Sequence, residues 1–220
     1  MVIDTSLFEH YSFDLWLTLI KSNPHFKQKR NMLLRDFFCV DKKIEEIGVV
    51  VRHYDILSNH LSEVTGKHID RELIYCLILN ELGIDLDTTL KEGLMKFTTE
   101  VDALFLEYKP VLLNDNLKNV FETIVSKGKT LSLLSNTAFL EGTVLRQVLE
   151  YYELSDFFSF QLYSDEIGVS KPNITAFDLV FQKIREQRTI KKKDIVHIGD
   201  NRKADYNGAI NYGFNAILIQ

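Results

Sequence analysis

Tyr11-Ser12-Phe13-Asp14-Leu15-Trp16-Leu17-Thr18-Leu19-Ile20 is an apolar run interrupted by a carboxylate. Its aromatic and aliphatic residues predict a buried central strand that ends near Asp14 and opens into a loop. A carboxylate between Phe13 and Leu15 is costly to bury without a partner, so Asp14 reads as a functional group, although a side chain capping the next turn would look the same locally. Four later segments have the same strand character: residues 130–134, 158–162, 194–198 and 215–219. Helical stripes separate them. Leu117, Val120, Phe121 and Ile124 share one face of residues 117–126, with Gly128 placed to end that helix. Residues 142–152, 174–185 and 203–212 repeat the pattern, the last with Gly213 as its C-cap. Strand and helix alternate to the end of the chain, which predicts an α/β fold with a doubly wound parallel sheet, Rossmann-like in layout.

Residues 21–108 lack strand signals. Ser22 or Asn23 is a candidate N-cap, with Pro24 in the first turn, for a helix running through Phe37. Further helices are expected over residues 41–64, 70–82 and 88–107, with Asp70 as an N-cap and Gly83 past a helix end. The insert is too long for a structureless loop. The predicted organisation is therefore a core of residues 1–20 and 109–220 and an all-helical insert of residues 21–108.

The 220 residues are 45% hydrophobic and carry a net charge of -5, an ordinary globular composition without a basic field for nucleic acid. Lys191, Lys192 and Lys193 read as a solvated loop before a strand. Cys39 and Cys76 are too few for a disulfide framework or a zinc site, so both are expected as buried thiols in a reducing compartment. The sequence shows neither a signal-peptide pattern at Met1 nor an apolar run of membrane-spanning length; a cytoplasmic location without membrane contact is expected. Oligomeric state is open.

Ligand sites of open parallel sheets lie beyond the carboxyl ends of the strands. Asp14, Ser135 and Asp200 each follow or end a predicted strand, so the three converge from distant parts of the chain. A carboxylate such as Asp14 can form a covalent ester or acyl phosphate. Asp200, in His197-Ile198-Gly199-Asp200-Asn201-Arg202-Lys203-Ala204-Asp205, adds a second hard oxygen ligand; the pair suits Mg²⁺, whereas a Gly-Asp turn is the plain alternative. Ser135-Asn136 opens a strand-to-helix loop whose N–H groups suit an anion, though an N-cap serine would look similar. Lys171, in Gly168-Val169-Ser170-Lys171-Pro172, is by itself an ordinary loop lysine.

Taken in order, the Asp14-x-x-x-Thr18, Ser135, Lys171-Pro172 and Gly199-Asp200 to Asp205 segments resemble the motifs of the haloacid dehalogenase-like hydrolases. The resemblance covers residue 11 to the C-terminus and implies that residues 21–108 form a helical cap. It implies that Asp14 is the nucleophile, that Ser135 and Asn136 hold an oxygen of the transferring group, and that Lys171 pairs with Asp14 and neutralises a substrate oxyanion. It further implies that Asp14, Asp200, the Trp16 carbonyl and, by orienting the site, Asp205 serve Mg²⁺, and that the substrate is a small phosphorylated molecule. Trp16 departs from the phosphatase pattern, which has a second Asp there; indole cannot exchange a proton usefully near neutral pH. His25 and the Asp165-Glu166 pair are candidate substitutes for that acid. An aromatic residue at this position also occurs in the 2-haloacid dehalogenases, which use no metal, so three readings stand: a Mg²⁺-dependent phosphatase, a dehalogenase-like enzyme and a non-catalytic binding protein. Leu17 replaces a common glycine. Lys21, Ser22, Asn23 and His25 can reach the mouth of the site or form a solvated helix start. Lys29, Arg30, Arg35 and Arg52 are candidate anion contacts among which spacing does not choose.

Overall fold

A computed structural model describes residues 4–86 and 90–219. The chain enters through β1 (His10–Phe13), buried along its whole length, and then makes the short β2 (Ile20–Lys21). Four helices follow: α1 (Phe26–Phe37), α2 (Ile44–Thr65), α3 (Arg71–Glu81) and α4 (Leu90–Glu107). Strand and helix then alternate through β3 (Val111–Leu112), α5 (Leu117–Ser126), β4 (Thr130–Ser135), α6 (Gly142–Tyr151) and β5 (Phe158–Tyr163). After α7 (Ser164–Ile167) and α8 (Ile174–Gln187) come β6 (Ile195–Gly199), α9 (Gly208–Tyr212) and β7 (Asn215–Leu218).

Five strands form one parallel sheet in the order β5-β4-β1-β6-β7, which places β1 at its centre. On one face Phe13 and Leu133 share a core with Phe121 of α5 and Leu145 of α6, and the Phe13 and Phe121 rings lie 5.2 Å apart. On the other, Ile195 and Leu134 share a second core with Phe177 and Val180 of α8 and Ala209 of α9. Burial on both faces explains why these strands read as mostly apolar runs, with His10, Ser12, Ser132 and His197 as buried polar exceptions. The expected doubly wound α/β fold is the one present. The four insert helices stand between β2 and β3, which pair antiparallel and tie both stems of the insert together. No helix among the described residues is long and apolar enough to cross a membrane.

Local departures from the sequence reading have physical causes. Helix α1 begins at Phe26, with His25 and not Ser22 or Asn23 at the cap position, because Asn23 Oδ1 accepts the His25 N–H at 3.0 Å and closes a turn before the helix. Helix α2 starts at Ile44, where the Glu46 carboxylate accepts the Lys43 N–H at 2.9 Å. The expected helix start at Thr88 lies outside the described residues. The helix expected from Lys203 begins instead as a wide π-type turn over Arg202–Asn207, which gives way to α9. Cys39, expected to be buried, is exposed at a left-handed position with φ 51°, and Cys76 is half-buried. Lys192 is not merely solvated: it lies 3.5 Å from the centre of the Tyr212 ring and donates to the Tyr212 carbonyl at 3.1 Å.

Candidate active site

Because β1 lies between β4 and β6, the loops leaving these three strands emerge side by side at the carboxyl edge of the sheet. They bring together Asp14 after β1, Ser135 at the end of β4 and Asp200 after β6. Lys171, between α7 and α8, reaches into the same place. Its ammonium donates to Asp14 Oδ1 at 2.7 Å, pairs with Asp205 Oδ1 at 2.7 Å and donates to the Leu134 carbonyl at 2.6 Å. All three of its protons are thereby engaged. Asn136 holds the backbone of this lysine: its Oδ1 accepts the Lys171 N–H at 2.8 Å and its Nδ2 donates to the Lys171 carbonyl at 2.9 Å. That clamp was not foreseen for Asn136.

Asp205 is steered by the wide turn. Its Oδ2 accepts the Asn201 N–H at 2.9 Å, while Asn201 Oδ1 caps the turn by accepting from Lys203 and Ala204. Gly199 is required here for closeness: a Cβ at that position would lie 2.2 Å from Asp205 Oδ2. Behind Asp205 a buried relay continues through His197 Nε2, 3.2 Å from Asp205 Oδ1, to Ser12 Oγ, 2.9 Å from His197 Nδ1. His197 and Ser12 were missed as site residues because alternate polar residues in a strand ordinarily face solvent, whereas both faces here are covered.

Asp14, Asp200 and Asp205 each place a carboxylate oxygen within 4.8 Å of the others. Three carboxylates against the single Lys171 ammonium leave an excess of two negative charges in a mostly buried space. Burial raises Asp14 to about 7 against the pull of Lys171, with Asp205 adding to the rise. Burial and the Asp205 charge also raise Asp200. Asp205 is held well below the usual carboxylate range in spite of burial, by Lys171 and by its hydrogen bond from His197, and Lys171 stays above the ordinary lysine value because two carboxylates outweigh its desolvation. The donor set is all hard oxygen, and its formal excess of negative charge matches a dication. These residues fit a divalent metal.

A cavity of about 350 Å³ lies over this cluster, between the sheet edge and the helical insert. Asp14, Trp16, Asn136, Lys171, Asp200 and Asp205 line its floor; Ser22, Arg30, Arg52, Asp55 and Glu63 are among the wall residues from the insert. Ser135 does not line it. That side chain is 1% exposed, with its hydroxyl turned 3.3 Å from the Asn136 carbonyl. Trp16 packs toward the insert, its ring tilted against that of Phe105 with centroids 6.1 Å apart, and Leu17 holds the left-handed φ of 57° that explains the glycine common at this position.

The proposed substitutes for a leaving-group acid do not reach the cavity. Asp165 is engaged by Thr137 Oγ1 at 2.7 Å and by the Gly142 N–H, Glu166 pairs with Arg146, and His25 is exposed at the start of α1. Among the cations, Lys29 lies over the Tyr108 ring and Arg35 pairs with Asp36, so Arg30 and Arg52 are the two of that group at the cavity.

A family model described as haloacid dehalogenase-like hydrolase matches residues 10–213. The chain belongs to the haloacid dehalogenase-like hydrolases. It is 26% identical over 210 residues to the glyceraldehyde 3-phosphate phosphatase of Methanothermobacter thermautotrophicus, covering 86% of each chain. Among solved structures it is similar to the HAD-hydrolase YfnB from Bacillus subtilis bound to magnesium, with a TM-score of 0.66, 17% identity, and 96% of this chain and 86% of that one covered. A 2-haloacid dehalogenase from Pseudomonas syringae pv. Tomato DC3000 matches with a TM-score of 0.64 and 19% identity, over 96% of this chain and 86% of the other. At these identities the two solved structures speak for the shared fold, and family membership marks the chain as a hydrolase.

Proposed function

We propose that this hydrolase is a Mg²⁺-dependent phosphatase that cleaves a small phosphorylated metabolite through an aspartyl-phosphate at Asp14, with residues 21–108 acting as its cap. The observation that carries the reading is the crowding of charge at the cluster: Lys171 is fully engaged between Asp14 and Asp205, three carboxylates formally outnumber it, and burial together with neighbouring carboxylates pushes Asp14 to about 7 and raises Asp200 in the absence of a cation. A dehalogenation site has no use for that excess. The phosphatase name of the Methanothermobacter relative agrees with it. Asp14, Asp200 and the Trp16 carbonyl would hold the ion, with Asp205 orienting the site, and the ion would supply charge stabilisation for the phosphoryl oxygens.

Lys171 fixes Asp14 by Oδ1, leaving Oδ2 to attack phosphorus. The phosphorus–oxygen bond to the leaving group breaks and its electron pair departs with that oxygen. Water then attacks the same phosphorus, a proton passes to solvent, and inorganic phosphate and the Asp14 carboxylate are regenerated. The backbone N–H groups after Ser135 supply donors to the phosphoryl oxygens. With Trp16 where an acid would stand, the departing oxygen takes its proton from water, so substrates whose leaving group is already a stable anion, such as acyl phosphates, are favoured.

The test is a panel of an aryl phosphate, sugar phosphates and acetyl phosphate, assayed with Mg²⁺ and with EDTA, with Asp14→Asn as the control. Metal-dependent turnover that the variant lacks is expected. Rates equal to those of Asp14→Asn on every compound would remove the proposal. Trp16 favours the dehalogenase as the second reading, for which EDTA-resistant halide release from a 2-haloacid would be the positive result.

A further inference from the structure

Arg30 stands apart from the other charged residues of the cavity. It lies on α1 and lines the cavity whose floor is Asp14 and Lys171, yet it is only 7% exposed. Its guanidinium lies 4.9 Å from the centre of the Phe139 ring, in the loop after β4, and 5.9 Å from that of Phe26. Asn31 Oδ1 accepts one of its protons at 3.3 Å, while Nε has no partner among the described residues.

Of the other insert charges at the cavity, Lys27 is exposed to solvent, and Arg52 and Glu63 are already matched. Arg52 Nη1 binds Asp55 at 2.7 Å, and Asn59 donates to the same residue. Glu63 accepts from Asn201 Nδ2 at 2.6 Å, with Lys203 3.9 Å away. Arg30 has no carboxylate within ion-pair distance among the described residues. A desolvated guanidinium held against aromatic faces keeps its charge, and those faces attract it less strongly than an oxyanion would. The two rings hold the planar guanidinium in place where the residue lines the cavity, with donors not engaged by Asn31. That shape fits the two oxygens of a carboxylate better than a point charge would.

We propose that Arg30 recognises a carboxylate on the substrate, at the end remote from the transferring phosphoryl group. This deepens the phosphatase reading and rests on it: the substrate class becomes a compact phosphomonoester or acyl phosphate with a second, carboxylate anion. Its chemistry requires a small molecule, since a 350 Å³ cavity is near the lower end for ligand pockets.

The experiment compares 3-phosphoglycerate with glycerol 3-phosphate, which differ in having a carboxylate or a hydroxymethyl group at the remote end, in wild type, Arg30→Met, Arg30→Lys and Asp14→Asn. Wild type is expected to favour 3-phosphoglycerate in kcat/KM. Arg30→Met is expected to raise KM for that substrate about 10–100-fold, the range for losing a charge-assisted hydrogen-bonded pair, and to change glycerol 3-phosphate by less than about 2-fold. Arg30→Lys, which keeps the charge without the fork, is expected to recover part of the preference and guards against a packing defect in the Met variant.

Parallel losses on both substrates, or no preference in wild type, would overturn the assignment while leaving Asp14-dependent turnover intact as support for the phosphatase. If neither substrate shows Asp14-dependent turnover, acetyl phosphate, whose leaving group needs no acid, tests the phosphatase reading, which fails if that compound is spared too. Calorimetric titration of 3-phosphoglycerate then decides for Arg30: binding lost in Arg30→Met retains the recognition site, and absent or unchanged binding removes it.

Discussion

Trp16 and Leu17 sit between the nucleophile candidate Asp14 and the ribbon that leads to the insert, and each departs from a requirement of its position. Trp16 lines the cavity with a ring that cannot exchange protons and packs instead near Phe105. A positioned acid contributes about 10²–10⁴-fold to such a reaction, so Trp16→Asp is expected to raise kcat on sugar phosphates at least about 10-fold, even after loss of the aromatic contact, with little gain on acetyl phosphate. A folded Trp16→Asp protein with unchanged rates on both would show that leaving-group protonation does not limit turnover. Leu17 occupies left-handed backbone at φ 57°, while its side chain is 59% exposed. Left-handed backbone costs an L-residue about 1–2 kcal/mol, partly returned by the greater unfolded-state entropy of glycine, so Leu17→Gly is expected to stabilise the protein by up to about 1 kcal/mol. A urea midpoint that stays put or falls would contradict that balance. Asp14 was legible in sequence because a charge in an apolar run demands a partner, whereas Lys171, Asp200 and Asp205, each a plain loop or turn residue alone, were legible only as motifs taken in order. Ser135 was less so, since a serine at a strand end carries no sign of whether its hydroxyl faces a cavity or its neighbour's carbonyl. Arg30 could not be chosen from Lys29, Arg35 and Arg52 without knowing which helix face meets Phe139.

One link between the insert and the site is made largely by backbone, which explains its invisibility in the sequence. The turn after α2 pairs with the loop before Lys171: Lys67 bridges Val169 antiparallel, Ser170 N–H donates to the Gly66 carbonyl at 3.0 Å and His68 N–H donates to the Gly168 carbonyl at 3.3 Å. Asn173, which caps α8 by accepting from Thr175, also donates to the Gly66 carbonyl at 3.1 Å. Hydrogen bonds of this kind leave no side-chain pattern, just as the β2–β3 ribbon is too short for periodicity to show. The strands of the sheet were legible because burial on both faces forces a mostly apolar composition. The helix expected from Lys203 was misjudged at its start because turning Asp205 back onto the Asn201 N–H widens the first turn. Gly66 tests the clasp. It has φ 68°, and an added Cβ would lie 2.9 Å from Asn173 Cβ. Left-handed strain and overpacking together put the cost of Gly66→Ala at about 2–4 kcal/mol, with a fall in kcat as the loop carrying Lys171 shifts. A loss below about 1 kcal/mol with full activity would mean that the turn moves independently of the loop.

At the scale of the whole molecule, the polar groups buried in the sheet make stability depend on pH. His10 lies in β1 with Nδ1 2.7 Å from Thr130 Oγ1 and Nε2 2.8 Å from Ser132 Oγ, and burial lowers its pKa from 6.5 to about 3, with the Arg188 charge adding to the fall. Between those values the unfolded chain binds a proton that the folded chain refuses. The stability linked to His10 is therefore complete above about pH 6.5 and is lost as pH falls toward 3, with a slope of about 1.4 kcal/mol per pH unit. Asp14 acts in the opposite direction when no cation is bound: raised to about 7, it is protonated in the fold while ionised in the unfolded chain, so its stability contribution grows as pH falls from about 7 toward 3.8. The two slopes oppose each other in the wild type, and its own pH curve would hide both. Comparison with His10→Gln separates them, because the Asp14 contribution is common to both proteins and the amide can still hydrogen-bond within the sheet. Urea unfolding in EDTA at pH 7.5, 6.0 and 4.5 should show wild type losing about 2–3 kcal/mol relative to His10→Gln between pH 7.5 and 4.5. Parallel curves would show that folded His10 accepts a proton as readily as the unfolded chain. A relative gain for wild type on acidification would mean that it is held in the protonated form inside the sheet.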